Sequence, residues 1–526
     1  VQPTVPPTVN LLSTPGASPN KIFFLNLTSP NADIVDPTVI GTVANDNPDT
    51  ISIDATNASV TETPAGVVAY FTISLDAPVD QNVTVDYTLG ASGDTAIGAT
   101  PQQIEDGSVK LNATDYLAQS LSGTLTFTPG VTTQRVSVLV LDNFGTPNGF
   151  NIDNEPDKTF TLTLSNPADP GSLTPLSLPT PTATGHITDD PVQNLNVGGT
   201  GTKYVDNSGN TVTVTLSGPG SAAVQKRGGE NSDGIRIVLT GTTAASHLNI
   251  KTSNGQTTID EIDADSPVGS INAPGVNLTG SMSLSGGLSN LRLNSITPAP
   301  VIIVPGINLA LGVQVTIGGG PLGSIIGLKA KIGRITDTSF DLGIPIQFMK
   351  ADSFNNQDAQ ANQISTPSIG SLKIATNFDE NIQTNVLGRL TVGDTIKNSN
   401  IQAVVSVGRV TARSIVNSQI FAGLPADTMA LPTSGSDFAS GSFIKSVSLR
   451  GPDSIFSGSS IAAASIGSLQ LGNVQPGNNG SAFGVATMDL GHVRGSTETP
   501  FSISRQTGDL GVIFSDVDFV IAVYGA

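Results

Sequence analysis

The apolar residues of the C-terminal half recur in a short phrase: an apolar residue, a glycine, a polar residue and a second apolar residue. Leu387-Gly388-Arg389-Leu390 returns 20 residues later as Val407-Gly408-Arg409-Val410. Apolar side chains at i, i+3 and i+5 fit neither the period of two of a strand nor a sustained helical stripe. A repeat of this length is one turn of a solenoid. The pattern therefore predicts a β-solenoid over residues 235–500.

The glycine of the phrase is predicted to form a corner, because glycine readily adopts positive φ. With a bend there, the apolar residues on both sides of it point inward. The same phrase is found at Val268-Gly269-Ser270-Ile271, Leu322-Gly323-Ser324-Ile325, Ile332-Gly333-Arg334-Ile335, Ile369-Gly370-Ser371-Leu372, Ile466-Gly467-Ser468-Leu469 and Leu490-Gly491-His492-Val493.

The third place of the phrase is polar, and its residues are expected to form one outer column of the solenoid. Arg334, Arg389 and Arg409 share this place with several serines (Ser270, Ser324, Ser371 and Ser468). A column of basic and hydroxyl side chains suits an acidic glycan. Outward positions of any solenoid must be polar, however, and this simpler interpretation is favoured.

The N-terminal third alternates apolar and polar residues with the period of a strand. Ala69–Leu75, Val83–Tyr87, Gly123–Phe127 and Arg135–Val140 are separated by turns rich in Gly, Pro and Asp. This is typical of an antiparallel sandwich. A second, shorter copy precedes it, because Lys21–Leu27 followed by Gly41 parallels Lys158–Leu164 followed by Gly185. We expect the first copy to contain only the closing strands of its domain.

Six blocks in order carry a family resemblance. They are Val60-Thr61-Glu62, Ala113-Thr114-Asp115-Tyr116, Gly123-Thr124-Leu125-Thr126-Phe127-Thr128-Pro129-Gly130, Val138-Leu139-Val140-Leu141-Asp142, the stretch from Asp157 to Pro167, and Asp189-Asp190. Over residues 50–191 the chain resembles a Calx-β domain, and residues 21–47 resemble the tail of another. The resemblance implies an immunoglobulin-like sandwich, used in tandem in extracellular and adhesion proteins, with Ca²⁺ bound at one end in some members.

Carried over residue by residue, the resemblance implies a set of calcium ligands. They are Glu62, Asp115, Asp142, Asp189 and Asp190, with Asp153 or Glu155 supplying the acidic loop between them. Ca²⁺ takes about 6–8 oxygen ligands, and clustered carboxylates repel one another unless a cation lies among them. Three positions depart from the family pattern, since Asn143, Lys158 and Pro191 stand where the family has or prefers an acid. Each departure removes a carboxylate.

Charge and composition argue against some classes of binding partner and site chemistry. The net charge is −19, and residues 1–190 hold 20 acidic and 4 basic residues. This acidity argues against nucleic acid and anionic membranes, and for cations such as Ca²⁺. The chain has no cysteine, which excludes a disulfide framework, a thiolate metal site and a cysteine nucleophile. The uncharged stretch Leu293–Leu328 is broken by prolines and glycines, so buried solenoid turns are expected there and no membrane span.

The densest acidic run of the second half is Asp260, Glu261, Asp263 and Asp265. Alternation along a strand places the last three on one face, which is the pattern of a weak cation site. An exposed, solvated strand face is the favoured interpretation.

Catalytic chemistry is not indicated. The three histidines (His186, His247 and His492) are far apart, Trp is absent, and the solenoid carboxylates Asp337, Asp341, Asp394 and Asp489 are scattered. A β-helix polysaccharide-degrading enzyme therefore ranks last among the alternatives.

The domain organisation is predicted from these patterns together. Residues 1–47 form a linker and the closing strands of a partial sandwich, 48–191 a complete sandwich, 192–234 connector strands, 235–500 the solenoid, and 501–526 a cap or docking strands. The sequence predicts an all-β, non-catalytic structural protein of the cell surface, part of a surface layer, fibre or adhesin. Its expected partners are copies of itself or other surface proteins; a glycan-binding adhesin is the alternative.

Overall fold

The computed structural model describes residues 8, 21–43, 50–62, 66–76, 78, 81–105, 108–109, 114–141, 156–170, 176–189, 193–199, 201–226, 235–298, 312–319, 327–357, 362–426 and 428–525. These residues divide into two compact units, one within 1–191 and the other within 192–526. The described part is almost entirely β-structure, which confirms the predicted all-β class.

The first two strands form a hairpin of their own. β1 (Lys21–Asn26) pairs antiparallel with β2 (Thr38–Val43), with Phe23 opposite Gly41. No strand of another sheet joins this pair among the described residues.

The sandwich consists of two five-stranded sheets. Its strands are β3 (Ile51–Asp54), β4 (Ser59–Thr61), β5 (Val67–Leu75), β6 (Val83–Leu89), β7 (Gly98–Ala99), β8 (Tyr116–Leu117), β9 (Ser122–Phe127), β10 (Thr133–Val140), β11 (Lys158–Ala168) and β12 (Thr182–Thr188), with helix α1 (Pro101–Glu105) between β7 and β8. The sheet orders are β3-β5-β10-β8-β7 and β4-β12-β11-β6-β9. Most pairs are antiparallel, as the alternating pattern predicts.

Aromatic rings fill the core between these sheets. Phe71, Tyr116 and Phe160 are all fully buried. The ring centroid of Phe160 lies 5.4 Å from that of Phe71 and 5.0 Å from that of Tyr116. Since β5 and β11 belong to different sheets, these contacts hold the two layers together.

The second unit begins with four antiparallel strands in the stretch predicted as a connector. They are β13 (Gln193–Asn196), β14 (Thr202–Val205), β15 (Thr211–Ser217) and β16 (Ser221–Lys226). β15 and β16 pair with the first two strands of the region that follows, at Ile235–Thr240 and His247–Thr252. Val212, Val214 and Val224 are buried in the same core as the later strands. The four strands therefore close one end of the second unit.

The region that follows is built of parallel strands. They are β17 (Ile235–Thr240), β18 (His247–Thr252), β19 (Thr257–Ile259), β20 (Glu261–Ala264), β21 (Val268–Leu278), β22 (Met282–Leu284), β23 (Leu288–Ile296), β24 (Val313–Ile317), β25 (Leu328–Thr336), β26 (Thr338–Leu342), β27 (Ile346–Ala351), β28 (Ser353–Asn355), β29 (Gln363–Ile369), β30 (Leu372–Ile374), β31 (Asn381–Val392), β32 (Thr395–Lys397), β33 (Asn400–Ala412), β34 (Ser414–Val416), β35 (Gln419–Ala422), β36 (Phe443–Leu449), β37 (Ile455–Ser457), β38 (Ser460–Gln475) and β39 (Phe483–Ser496). A single-turn 3-10 helix, Gly435–Asp437, interrupts them.

Successive turns of this coil stack in the register that the phrase predicts. Leu390 pairs with Val410, and Val410 with Val447. The same buried column continues in both directions, through Ile271, Leu291, Ala330, Met349, Leu372, Leu390, Val410, Val447, Leu469 and Val493. Parallel ladders between turns about 20 residues apart are the pairing expected of a solenoid.

The glycines of the phrase do not form positive-φ corners, so that prediction is wrong. Gly388 and Gly408 do not have positive φ. A Cβ built on Gly408 would lie 2.1 Å from the carbonyl oxygen of Gly388, and one on Gly491 would lie 2.1 Å from that of Gly467. Glycine is required because the backbone of the adjacent turn occupies the space of a side chain.

Asparagine supplies the left-handed conformation instead. Asn398 and Asn417 both have φ of 49°, and Gly458 has φ of 52° on the next turn. Each is followed by a buried serine, Ser399, Ser418 or Ser459.

These three serines bond one turn to the next. The Ser418 hydroxyl donates to the carbonyl of Val416 at 2.8 Å and accepts from the amide of Ser399 at 3.1 Å. The hydroxyl of Ser459 accepts from the amide of Ser418 at 3.0 Å. We call Ser399, Ser418 and Ser459 the serine ladder; it satisfies amides that the corner would otherwise bury without a partner.

One arginine of the predicted outer column lies elsewhere. Arg389 and Arg409 are directly paired, as expected, and Arg409 also pairs with Ser446. Arg334 pairs with Ser295 and Ser353 in a different ladder, so its place in the column was wrong. The phrase at Leu322, with Ser324 of the predicted column, lies outside the described residues.

The last four strands pair mostly in the antiparallel sense. They are β40 (Pro500–Ile503), β41 (Gln506–Thr507), β42 (Gly511–Asp516) and β43 (Phe519–Val523). β40 pairs antiparallel with β39, whereas β43 pairs parallel with it. Phe519 packs on Phe483 with centroids 5.6 Å apart.

Candidate functional site: the acidic end of the sandwich

Strand pairing brings several of the predicted ligands to one end of the sandwich. Glu62 follows β4 and Asp189 follows β12, and these two strands are paired up to Thr61 and Thr188. The amide of Glu62 donates to the carbonyl of Thr188 at 3.0 Å. Lys158, the first residue of β11, pairs with Ile187 and so lies at the same end.

Asp115 reaches this end from the other sheet. It directly precedes β8, whose Tyr116 pairs with Val140, and its carbonyl accepts from the amide of Leu141. The end of β10 therefore lies beside Asp115.

Both carboxylate oxygens of Asp115 have partners in the chain. Lys158 Nζ lies 2.5 Å from Oδ1, and the amide of Ile97 donates to Oδ2 at 2.6 Å. The two charged side chains are largely buried, which strengthens their attraction. In the family resemblance, Lys158 counts only as a missing acid. In the structure its ammonium contacts Asp115, a predicted calcium ligand, and supplies positive charge there.

Acids outnumber bases among the described residues of this end. Burial is the main cause that raises the pKa of Tyr116 to about 12, and the charges of Asp94 and Asp115 act in the same direction. Asp157 is a further acid at this end that the resemblance did not single out: its Oδ1 accepts from the amide of Asp189 at 3.3 Å. In the sequence, the feature that could have pointed to Asp157 is its position next to Lys158.

Of the predicted calcium ligands, the structure describes Glu62, Asp115 and Asp189. Asp142, Asp153, Glu155 and Asp190 lie outside the described residues. No three acids or histidines of the described residues approach closely enough to hold a metal ion. The described ligands therefore do not form a calcium site by themselves, and calcium at this end stays a prediction.

Two acids of the run in the second unit form ion pairs with an arginine. Arg236 Nε lies 2.7 Å from Asp263 Oδ2 and 3.6 Å from Glu261 Oε2. Asp260 accepts from the amide of Ile235 at 3.0 Å, and Asp265 from that of Gly241 at 2.9 Å. The favoured interpretation as an exposed face was wrong for Asp263, which is buried; burial raises the pKa of Asp263, against the charge of Arg236. The run holds neighbouring turns together.

None of the helices in the described ranges has the length and apolar character that a membrane crossing requires.

The protein is thus an all-β protein with a sandwich unit and a unit of stacked parallel strands. No family model matches the chain, and no curated protein matches it. Among solved structures it is similar to "Crystal structure of Apo-form Calx CBD1 domain", at 21% identity and a TM-score of 0.19, covering 28% of this chain and 100% of that one. It is also similar to "Crystal structure of CBD12 from CALX1.2", at 17% identity and a TM-score of 0.19, covering 33% of this chain and 54% of that one. At these values the likeness assigns no ligand or activity to this chain.

Proposed function

We propose that this is a non-catalytic, extracellular structural protein that assembles through strand exchange at a cell surface, as part of a layer, fibre or adhesin. The observation that carries the proposal is the hairpin β1–β2, which has the register of a sandwich pair but no fully buried residue.

The hairpin repeats the closing pair of the complete sandwich. Lys21 pairs with Val43 as Lys158 pairs with Ile187, and Phe23 faces Gly41 as Phe160 faces Gly185. In both pairs the phenylalanine ring lies over the glycine, where a Cβ would come within 2.6 Å or less of it. Residue by residue, Phe23 therefore corresponds to a residue of the sandwich core.

The hairpin β1–β2 is much more exposed than the pair β11–β12. Phe160 is 0% exposed, whereas Phe23 is 37% exposed. On the other face of the hairpin, Phe24 is 56% and Ile40 61% exposed. Two isolated strands are marginal in water, and uncovered apolar strands invite pairing with another chain. Strands that complete this sandwich can come from residues 1–20, from polypeptide upstream of Val1 or from a neighbouring molecule, and the occupant we propose is the last of these.

The experiment is sedimentation velocity over a range of concentrations, with electron microscopy of native material. We expect concentration-dependent assembly that Phe23→Asp abolishes, while Phe443→Asp, at a coil residue 43% exposed, leaves it intact. A monodisperse monomer at high concentration with calcium present would overturn the proposal. So would equal loss in both variants.

Calcium at the sandwich end belongs to the same proposal. Its support is the convergence of Glu62 and Asp189 on adjacent strand ends, with Asp157 beside Asp189. Bound calcium raises the melting temperature of the folded state that holds it. An equal melting temperature of the sandwich with added calcium and with chelator would leave Lys158 as the cation of this end and remove calcium from the proposal.

A glycan-binding adhesin is the second candidate, and the stacking of Arg389 on Arg409 favours it. Both side chains are exposed, and their strands are directly paired, which places two cations one strand spacing apart. Binding on a glycan array that disappears in the double variant Arg389→Gln/Arg409→Gln supports this candidate. Binding that is indifferent to both arginines removes it.

A further inference from the structure

We infer that one face of the coil carries a binding site for an acidic polysaccharide, centred on four stacked cations. Arg292 pairs with Lys331, Lys331 with Lys350, and Lys350 with Lys373. We call these four residues the cation ladder. The inference refines the glycan-binding candidate but rests on different residues from the arginine pair named there.

The ladder side chains point away from the core. The residues before and after each of them are buried, as with Leu291 and Leu293 around Arg292. Arg292, Lys331 and Lys373 are exposed and Lys350 is half-buried. Adjacent strands lie about 4.8 Å apart, so the four charges form a row with that spacing.

The row is electrostatically unfavourable without a ligand. Like charges directly opposite each other on paired strands destabilise a sheet. No described carboxylate forms an ion pair with any of the four, although the chain as a whole carries a net charge of −19. Asp352 lines the same groove as Arg292, Lys331 and Lys350. An extended ligand with regularly repeated negative charge would relieve this repulsion.

The surface around the row suits sugar rings. A groove of about 170 Å³ is lined by Arg292, Lys331, Lys350, Asn294 and Asp352, among others. The neighbouring outward column contains Asn290, Lys329 and Phe348, paired in that order. Phe348 is 41% exposed, and an aromatic face beside amides and cations is a platform for a sugar ring.

Polysaccharide is favoured over nucleic acid by the spacing of the four cations. The strand spacing of about 4.8 Å is close to the length of one sugar along an extended chain, so a carboxylate on each sugar matches one cation per turn. The ligand class is therefore a linear polymer with one acidic group per sugar, running across the turns.

The probe is polygalacturonate, with neutral dextran and single-stranded poly(dT) as comparisons. We expect polygalacturonate to bind with an affinity that falls as salt rises, and dextran not to bind. The double variant Lys331→Gln/Lys350→Gln should weaken binding about tenfold or more, whereas Lys203→Gln, an exposed lysine of β14, should not change it. Asp352→Asn should strengthen binding.

Three results would overturn the inference: no binding of polygalacturonate at low salt, equal loss in the Lys203→Gln control, or tighter binding of poly(dT). Melting curves of each variant show whether the coil remains folded. Assembly is measured separately by sedimentation, so an unaltered chain that assembles but does not bind polygalacturonate counts against this site alone.

Discussion

A single lysine shows how one residue changes the chemistry of a site. Lys158 stands where the family pattern prefers an acid, and its ammonium contacts Asp115 from within the chain. The hairpin provides the matched position, because Lys21 starts β1 as Lys158 starts β11.

Lys158→Met is expected to destabilise the sandwich by about 2–4 kcal/mol, since it leaves the buried carboxylate of Asp115 without its counter-charge. Added calcium should recover part of the loss, because a divalent cation can take the place of the ammonium. Urea unfolding of the sandwich measures both effects. Lys21→Met, at an exposed position, is the control and should change stability by less than about 0.5 kcal/mol. An unaltered Lys158→Met midpoint would contradict the structural role of the pair.

Asp206 gives a pH-dependent prediction at the same scale. Burial raises the pKa of Asp206, but hydrogen bonds outweigh it, from Asn210, Thr257 and the amide of Ser208, so the pKa lies below its usual value of 3.8. A carboxylate whose pKa is depressed by folding stabilises the fold above its unfolded pKa, and this contribution is lost as pH falls through the folded pKa.

Asp206→Asn should therefore lower the stability of the coil unit by about 1–2 kcal/mol at neutral pH. The difference from the unmodified chain should shrink as pH falls below 3.8. Urea midpoints at several pH values test this. A difference that stays constant into strong acid would show that the charge of Asp206 is not its cause.

At the scale of the element, the repeated turn was predictable in its register and not in its corners. The apolar places of the phrase are dictated by burial, which the sequence shows directly; Leu390 over Val410 is the result. The corner depends on where a neighbouring carbonyl lies, which only three-dimensional stacking reveals. For this reason the glycine was assigned a positive φ that Asn417 actually adopts.

At the sandwich end, too, the sequence could predict some features of the site and not others. Motif order located the strand ends that carry Glu62 and Asp189, because these ends follow from the pairing of β4 with β12. The contact between Lys158 and Asp115 joins residues 43 positions apart on different sheets, and no local pattern reports it.

Gly408→Ala is expected to destabilise the coil by about 1–3 kcal/mol, because the new methyl group overlaps the carbonyl of Gly388. Asn417→Ala should cost about 1–2 kcal/mol through its left-handed backbone, while Asn417→Gly should be tolerated. Thermal melting of the coil compares the three. Equal effects of alanine and glycine at 417 would show that the asparagine side chain matters more than its backbone.

At the scale of the whole molecule, the two units have separate cores. Phe71 and Phe160 belong to one, and Leu390 and Val410 to the other. Separate cores of this kind melt as separate cooperative units.

Calorimetry should therefore resolve two transitions. Leu390→Ala, which removes a fully buried side chain, should lower only the coil transition, by about 2–5 kcal/mol in free energy of unfolding. Phe160→Leu should lower only the sandwich transition. A single transition that both variants shift together would contradict independent folding.

The antiparallel strands at both ends of the coil have a consequence for its length. β15 and β16 close one end and β40 and β42 the other, so each interior turn meets only its two neighbours. Duplicating a stretch such as residues 389–408 would add one increment of about 4.8 Å without disturbing either terminus. The length of the coil can therefore change in whole-number steps of one turn, independently of the strands at its two ends.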